Sequence, residues 1–299
     1  MDAQTLLAGP RGRRLLQTVL DGSDDALAWT VAVAHYWQPP DADDLRLDLP
    51  ASRAELAGVA EAVAASSMAA WWSEPIDRSN QYIVRFLTPG LDEHPTSWDF
   101  SGRLHRWHAH TIAGERDAEE SDAPLDSLPS RAWWSTPAFT GLPITTRALP
   151  SGAPVRLTHV EDSLGWADAL VTAVEPAAKA RVFEIAEAAD WTHLVERYPL
   201  DVTRTRRACW YWATGIDDRW FIPDWPAVAR DYDAVHLSVA GYLSTAGRAL
   251  PVPGGNTLLA GFSLDETYWL ADIVRRSGPS EHWHRDQNGQ VWAPAIDAR

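Results

Sequence analysis

The sequence predicts an α+β fold, with a helical N-terminal part and a Trp-rich, mixed but largely antiparallel sheet in the C-terminal part. Three observations support this fold class. Apolar residues recur at helical spacing within residues 1–70, and strand-like and helix-like patterns alternate in the second half of the chain. Near the end, Asn288-Gly289 lies between two Trp-containing runs, which is a strong signal for a hairpin with a type I′ turn.

Composition divides the chain into three segments. Residues 1–113 form a helix-rich N-terminal region, and residues 131–299 form an α+β domain. Residues 114–130 between them are acidic and contain proline, which predicts a linker or loop. Within the first segment, Ser52-x-x-Glu55 is a capping-box pattern and predicts the start of a helix.

An internal repeat connects the two larger segments. The motif Ala-Trp-Trp-Ser-x-Pro begins at Ala70 and again at Ala132, and each copy is followed at the same distance by an arginine, which is Arg147 in the second copy. Because all matched positions share one offset, we expect residues 70–90 and 132–152 to adopt the same local fold. If each Trp pair lies on a strand, its two rings point to opposite faces of the sheet.

Short β-branched or aromatic runs predict several strands. These runs are Tyr82 to Leu87, Val155 to Val160, Arg181 to Ala186, Val235 to Thr245, Thr257 to Phe262 and Thr267 to Leu270. The run from Val235 is the most regular, because apolar and polar side chains alternate along it.

Two helices are predicted from one shared template. Each begins with Asp-Trp and continues with an apolar stripe at helical spacing, from Asp190 to residue 198 and from Asp224 to residue 232. The aspartates are expected at the N-caps. We interpret Trp191 and Trp225 as buried anchors of the core.

Charge and cysteine content exclude several classes of function. The formal net charge is −15 and no stripe of Lys or Arg occurs, so binding to nucleic acid or to an anionic membrane surface is not expected. No apolar run is long enough for a membrane span. Cys209 is the single cysteine, which excludes an intrachain disulfide and a Cys-based zinc site. We expect a soluble, cytoplasmic protein.

Two His-rich segments, residues 105–110 and 282–286, contain metal-ligand types at short spacing. On a strand, His282, His284 and Asp286 would share one face, an arrangement open to a divalent metal. A 2-His-1-carboxylate oxygenase pattern also requires a distant histidine after the His-x-Asp pair, and none follows. We therefore interpret these histidines as surface groups of a hairpin and predict no metal site.

The candidate site is the polar face of the strand predicted over Val235 to Thr245. This face carries His236, Ser238, Tyr242 and Ser244. An acid/base group, a nucleophile and a phenol could converge there. Long charged side chains are absent from Ala234 to Leu243, so we expect this face to line the main pocket, with Arg147 or Glu266 within reach. The alternative is a half-solvated sheet, where polar residues face outward without any function.

A short motif at the end of this segment resembles a known family. Tyr-Leu-Ser-Thr, from Tyr242 to Thr245, resembles the aromatic-x-Ser-Thr-Ser strand of ADP-ribosyltransferases, which follows a strand arginine and precedes a catalytic glutamate. The present chain departs from that pattern, because Ala246 replaces the final serine and Asp265-Glu266 replaces Glu-x-Glu. The resemblance covers short segments only.

This resemblance implies a function and a set of roles. The protein would be a nucleotide- or NAD-using transferase or glycohydrolase, with NAD as its cofactor or substrate. Arg147 would clamp a phosphate, Ser244 would orient the ribose and Glu266 would stabilise oxocarbenium character. Within the same cleft, Ser238 is assigned with Arg147 to cofactor binding, and His236 and Tyr242 are assigned with Glu266 and Ser244 to catalysis.

A second resemblance carries no activity. The run from Arg181 to Ser238 is similar to functionally uncharacterised proteins of high-GC Gram-positive bacteria. The alternative to an enzyme is a non-enzymatic binding or protein-interaction module. Such a module would use exposed tryptophans and the acidic residues 114–130 against a basic protein partner.

Overall fold

The computed structural model describes residues 1–23, 25–32, 34, 39–87, 100–119, 132–161, 165–286 and 291–295. Within these residues the helices are α1 Ala3–Ala8, α2 Pro10–Leu20, α3 Ala26–Ala32, α4 Ala42–Leu47, α5 Pro50–Ala64, α6 Phe100–Glu119, α7 Ala188–Arg197, α8 Thr203–Thr214, α9 Trp225–Asp231 and α10 Val239–Thr245. The strands are β1 Gln81–Phe86, β2 Ile144–Thr146, β3 Asp168–Pro176, β4 Val182–Ile185, β5 Pro199–Asp201, β6 Trp220–Pro223, β7 Ala234–Leu237, β8 Ala249–Val252, β9 Gly255–Leu258, β10 Thr267–Trp269, β11 Val274–Arg285 and β12 Trp292–Pro294.

The predicted α+β class is confirmed. The helices α1 to α5 fill the N-terminal part, and most strands follow later in the chain. The larger sheet has the strand order β12-β11-β3-β1-β2-β10-β7-β4, and its pairs are antiparallel except for β4 with β7. The smaller sheet has the order β5-β6-β9-β8, in which β6 and β9 are parallel.

The larger sheet contains strands from both the first and the last of the predicted segments. The strand β1 belongs to the first segment, yet it lies between β2 and β3 of the last segment and pairs with both. The predicted linker is also partly helical, because α6 continues through residues 114–119. Residues 120–130 lie outside the described part of the chain.

The helices predicted at the two Asp-Trp motifs are present as α7 and α9, and both tryptophans are buried. Asp224 is the N-cap of α9, and its side chain accepts a hydrogen bond from the Ala227 amide. Asp190 is not an N-cap. It lies in the first turn of α7, where its carboxylate accepts hydrogen bonds from the backbone amides of residues 186 and 187, just before the helix.

The strand predicted over Val235 to Thr245 is wrong for most of its length. The strand β7 ends at Leu237, and α10 begins immediately afterwards. Ser238 caps this helix, because its Oγ accepts a hydrogen bond from the Gly241 amide at 3.0 Å. Side chains on all sides of this segment are buried, so the alternation in the sequence does not mark one wet and one dry face.

Other predicted boundaries also differ. Val155 to Val160 is not a strand, because a single 3₁₀ turn occupies Val155–Leu157. Ser52 does not cap its helix, since α5 begins earlier, at Pro50, a residue whose fixed φ suits the first helical position. The strand predicted from Thr257 is β9, which ends at Leu258.

A strand follows the Trp pair in each copy of the repeat, but the two Trp pairs differ in conformation. The strands β1 and β2 follow the two motifs and pair with each other antiparallel. Neither Trp pair lies on a strand. Trp71 and Trp72 lie in a turn after a short 3₁₀ helix, whereas Trp133 and Trp134 lie in a segment without regular secondary structure. The prediction of one local fold for both copies is therefore wrong at these positions.

The C-terminal hairpin is described only at its strands. The strands β11 and β12 pair antiparallel, as expected for a hairpin in which Asn288-Gly289 forms the turn. Residues 287–290, which contain that turn, lie outside the described residues.

Candidate functional site

The residues predicted to form one polar face instead lie in different surroundings, and all of them are buried. His236 lies on β7 and belongs to an ion cluster that also contains Arg147. Tyr242 and Ser244 lie on α10, and Ser238 caps that helix. The prediction that these side chains share one strand face is wrong.

The ion cluster joins Arg147, Asp265, His236 and Glu184. Asp265 is at its centre, because its Oδ1 accepts a hydrogen bond from Nε of Arg147 at 2.7 Å and lies 3.4 Å from Nε2 of His236. The other imidazole nitrogen, Nδ1, is 2.5 Å from a carboxylate oxygen of Glu184. The side chains of the first three residues are almost completely buried, and that of Glu184 is 33 % exposed.

Strand register brings the cluster together. The parallel pair β4 and β7 places Glu184 directly opposite His236. Asp265 comes from the turn before β10, in a left-handed backbone conformation with φ of 54°. This conformation is uncommon for any residue except glycine, although Asp and Asn tolerate it best among the others. It directs the Asp265 carboxylate to the end of β2, where it also accepts hydrogen bonds from the Thr146 hydroxyl and the Arg147 amide.

Arg147 uses each nitrogen of its guanidinium within the protein. Besides Asp265, it donates to Glu74 and to the Pro75 carbonyl, both at 3.0 Å. Its guanidinium carbon lies 5.0 Å from the ring centre of Trp71, within range of a cation–π contact. A phosphate clamp would need donors that are free to reach a ligand, so this arrangement does not match the role implied by the ADP-ribosyltransferase resemblance.

The segment of residues 71–80, which we call the covering segment, lies over the ion cluster. Glu74 and Pro75 hold it to Arg147, and the Ile76 amide donates to Glu184 at 3.3 Å. Farther along, Arg78 donates to the carbonyls of residues 178 and 180, next to β4. The cluster therefore joins two strands of the sheet to the covering segment.

The surroundings of His236 favour its protonated form. Both of its nitrogens approach carboxylate oxygens, and only the imidazolium can donate through both at once. Burial by itself would lower the pKa of His236, but hydrogen bonds to Asp265 and Glu184 outweigh burial, so its pKa is raised. Burial alone would raise the pKa of Asp265. The hydrogen bond from His236 and the charges of His236 and Arg147 nevertheless hold it below its usual value.

These shifts predict how stability depends on pH. The contribution of His236 is complete below the pKa of an unfolded histidine and is lost as pH rises through its raised folded pKa. Asp265 contributes to stability in the opposite direction of pH. Its contribution is present above the ordinary pKa of aspartate and is lost as pH falls through its lowered folded pKa. We therefore expect urea unfolding at increasingly alkaline pH to show a loss of stability that is absent in His236→Gln. Equal pH slopes for both proteins would contradict this assignment.

The remaining predicted site residues form separate contacts. The Tyr242 hydroxyl donates to Glu161 at 2.6 Å. Glu266 forms an ion pair with Arg156 and accepts a hydrogen bond from the Ser263 amide. The Ser244 hydroxyl donates to the Ala240 carbonyl within its own helix. Each of these side chains is therefore paired within the protein.

The two His-rich segments lie on different elements of the fold. His282 and His284 both contact the same carboxylate oxygen of Asp168, at 3.0 and 3.1 Å, across the pair of β11 with β3. Residues 105–110 lie on α6. In the part of the chain that the structure describes, no three His, Cys, Asp or Glu side chains are grouped so that they could hold a metal ion.

A surface cavity of about 430 Å³ has no residue of the ion cluster in its lining. It is lined by Met1, Asp2, Thr5, Ser73, Ala186, Glu187, Asp190 and Ala240. None of the predicted site residues lines this cavity, and of the predicted strand 235–245 only Ala240 does so.

Sequence reasoning missed the two residues that organise the ion cluster. Glu184 was inside a correctly predicted strand, so pairing that strand with β7 would have brought it to His236. In the sequence, Asp265 stands out only as part of a departure from a family motif. No local pattern shows that it meets Arg147, because 118 positions separate the two residues.

Comparisons with protein-family models, with curated proteins and with solved structures found no match to this chain. Among the helices of the described residues, none has the length and apolar content needed to cross a membrane.

Proposed function

We propose that this protein is a non-enzymatic interaction module that binds a protein partner through Phe139 and its neighbour Trp134. One observation carries the proposal. The Phe139 side chain is 86 % exposed, and its backbone has a left-handed φ of 60°. The left-handed conformation costs a phenylalanine about 1–2 kcal/mol, and the exposed ring recovers little of this by burial. Such a residue is expected where a partner covers it.

The loop that presents Phe139 is held in place. The ring of Phe139 meets Trp134 edge to face, with 4.6 Å between ring centres. On one side of Phe139, the Thr136 hydroxyl donates to the Gly261 carbonyl at 3.1 Å. On the other side, Arg103 of α6 donates to the Thr140 carbonyl at 2.6 Å. A preordered aromatic residue loses little conformational entropy on binding, which is a property of interface hot spots.

The chemistry of the partner follows from the ring and the net charge. A phenyl ring requires an apolar pocket on the partner. The formal charge of −15 favours association with a basic surface, because complementary charge increases the rate of encounter. We therefore infer a basic protein partner with an apolar pocket.

The enzymatic alternative has one supporting observation. Arg147 and His236, two of the residues assigned to a nucleotide- or NAD-using cleft, contact the same carboxylate of Asp265. It is the weaker proposal, since the ring nitrogens of His236 and the guanidinium of Arg147 are already bonded within the protein.

Phe139→Gly is expected to abolish partner binding without unfolding the protein. Glycine accepts the left-handed backbone, and this relief offsets the lost aromatic contact, so the free energy of unfolding should change by less than about 1 kcal/mol. A photo-crosslinking amino acid at position 139, in cells that naturally produce the protein, should give a discrete adduct. Excess unlabelled wild-type protein should suppress that adduct, and excess Phe139→Gly protein should not.

The same crosslinker placed at Ile216, another exposed apolar side chain, is the matched control and should give no such adduct. Absence of an adduct at position 139, or equal competition by the glycine variant, would overturn the proposal. A rise in melting temperature caused by NAD would favour the enzymatic alternative instead.

A further inference from the structure

Four arginines surround one junction of the fold, and we call them the arginine cluster. They are Arg11 and Arg13 on α2, Arg53 on α5 and Arg248 after α10. At this junction the corner between α1 and α2 lies directly on the end of α10. The contact is so close that a Cβ at Gly9 would lie 2.2 Å from the Leu243 carbonyl oxygen.

Three of these arginines have partners. Arg13 and Arg53 donate to the same carboxylate oxygen of Asp48, at 2.9 and 2.5 Å. Arg13 also donates to the carbonyls at the end of α1. Arg248 donates to the Ser244 carbonyl at 3.2 Å. The nearby Asp44 is bound to Arg14, outside the cluster.

Arg11 differs from the other three. Its residue is only 7 % exposed, yet it makes no hydrogen bond or ion pair with any described residue, and its Nε is buried without a partner. The guanidinium lies against Gly247, the residue before Arg248, where a Cβ would come within 3.6 Å of Nη2. Burying an unpaired charge is costly, so this arrangement indicates a missing anion.

Three charges of the cluster, those of Arg13, Arg53 and Arg248, repel one another. Burial lowers the pKa of Arg13 most, Asp48 opposes this effect, and Arg53 and Arg248 lower the pKa further. The pKa of Arg248 is lowered by burial and by Arg53. Four guanidinium groups against the single carboxylate of Asp48 leave an excess of three positive charges, in a chain whose formal net charge is −15.

We propose that the arginine cluster binds a phosphoryl group, with Arg11 and Arg248 as the donors beside Gly247. A phosphoryl group carries a charge of about −1.5 to −2 at neutral pH, which suits this excess better than a single carboxylate does. Its oxygens also match the planar fork of a guanidinium. The site is independent of Phe139 and Trp134, so it goes beyond the proposed interaction function.

Isothermal titration calorimetry on the full chain tests the proposal, with inorganic phosphate, pyrophosphate and a nucleoside monophosphate as separate probes. We expect saturable binding of at least one probe by the wild type, weakened about tenfold or more in Arg11→Gln and in Arg248→Gln. Tighter binding of the nucleotide than of inorganic phosphate would identify a phosphorylated metabolite as the source of the group. The reverse order would identify free phosphate.

Arg275→Gln is the matched control, because Arg275 is exposed and its ion pair is with nearby Asp272, and this variant should bind phosphate as the wild type does. Stability gives a second readout. Without phosphate, Arg11→Gln should be at least as stable as the wild type, since an unpaired buried charge is removed. With phosphate, the wild type and Arg275→Gln should gain more stability than Arg11→Gln does. No saturable binding of any probe, or equal affinity in the wild type and Arg11→Gln, would overturn the proposal.

Discussion

Replacing Trp191 by alanine is expected to lower the free energy of unfolding by about 3–5 kcal/mol. The indole is fully buried between α7 and the smaller sheet, and its N–H donates to the Thr257 hydroxyl at 3.1 Å. Truncation would therefore leave a cavity and remove a buried hydrogen bond. Trp225→Ala should have a comparable effect, because that indole is also fully buried and donates to the Ser135 carbonyl at 3.0 Å.

Equilibrium unfolding in urea measures both effects. Trp29→Ala is the matched control, since its side chain is 59 % exposed, and it should change stability by no more than about 0.5 kcal/mol. Trp191→Phe should fall between these limits, because it retains most of the apolar contact and loses the hydrogen bond. If Trp191→Ala were as stable as Trp29→Ala, the assignment of Trp191 as a core anchor would be wrong.

Replacing Asp265 by asparagine should destabilise the protein by about 3–5 kcal/mol, although the two side chains have nearly the same shape. Asparagine tolerates the left-handed backbone at this position, so the substitution removes the charge and leaves the turn intact. Arg147 and His236 would then be two neighbouring buried cations without their shared anion. We also expect the pKa of His236 to fall, which histidine NMR titration would detect.

Glu74→Gln provides the comparison for this prediction. Glu74 also pairs with Arg147, but its side chain is 57 % exposed, and solvent screens such a pair. We expect the free energy of unfolding of this variant to fall by about 0–1 kcal/mol. An Asp265→Asn variant that lost no more stability than Glu74→Gln would show that the buried cluster does not stabilise the fold.

Sequence patterns predicted two helices in which one face is buried and the other is wet, and three strands that follow short apolar runs. The helices α7 and α9 carry apolar stripes beside polar residues, and β1, β4 and β10 lie where short β-branched or aromatic runs predict strands. The pattern misled at residues 238–245, because that helix is surrounded by protein and every position along it is buried. Periodicity identifies an exposed face, and this helix has none.

The sequence by itself determined the fold class, the positions of the Trp anchors and the exclusion of an intrachain disulfide, because each depends on local pattern or on composition. Only the tertiary structure decided which charges meet. Arg147 and Asp265 come together over 118 positions, and Glu184 reaches His236 over 52. Local patterns do not encode such pairs, since strand order and register select them after the sheet has formed. Tertiary packing also decides that Phe139 is exposed and that Arg11 is buried, because it determines which side chains the rest of the chain covers.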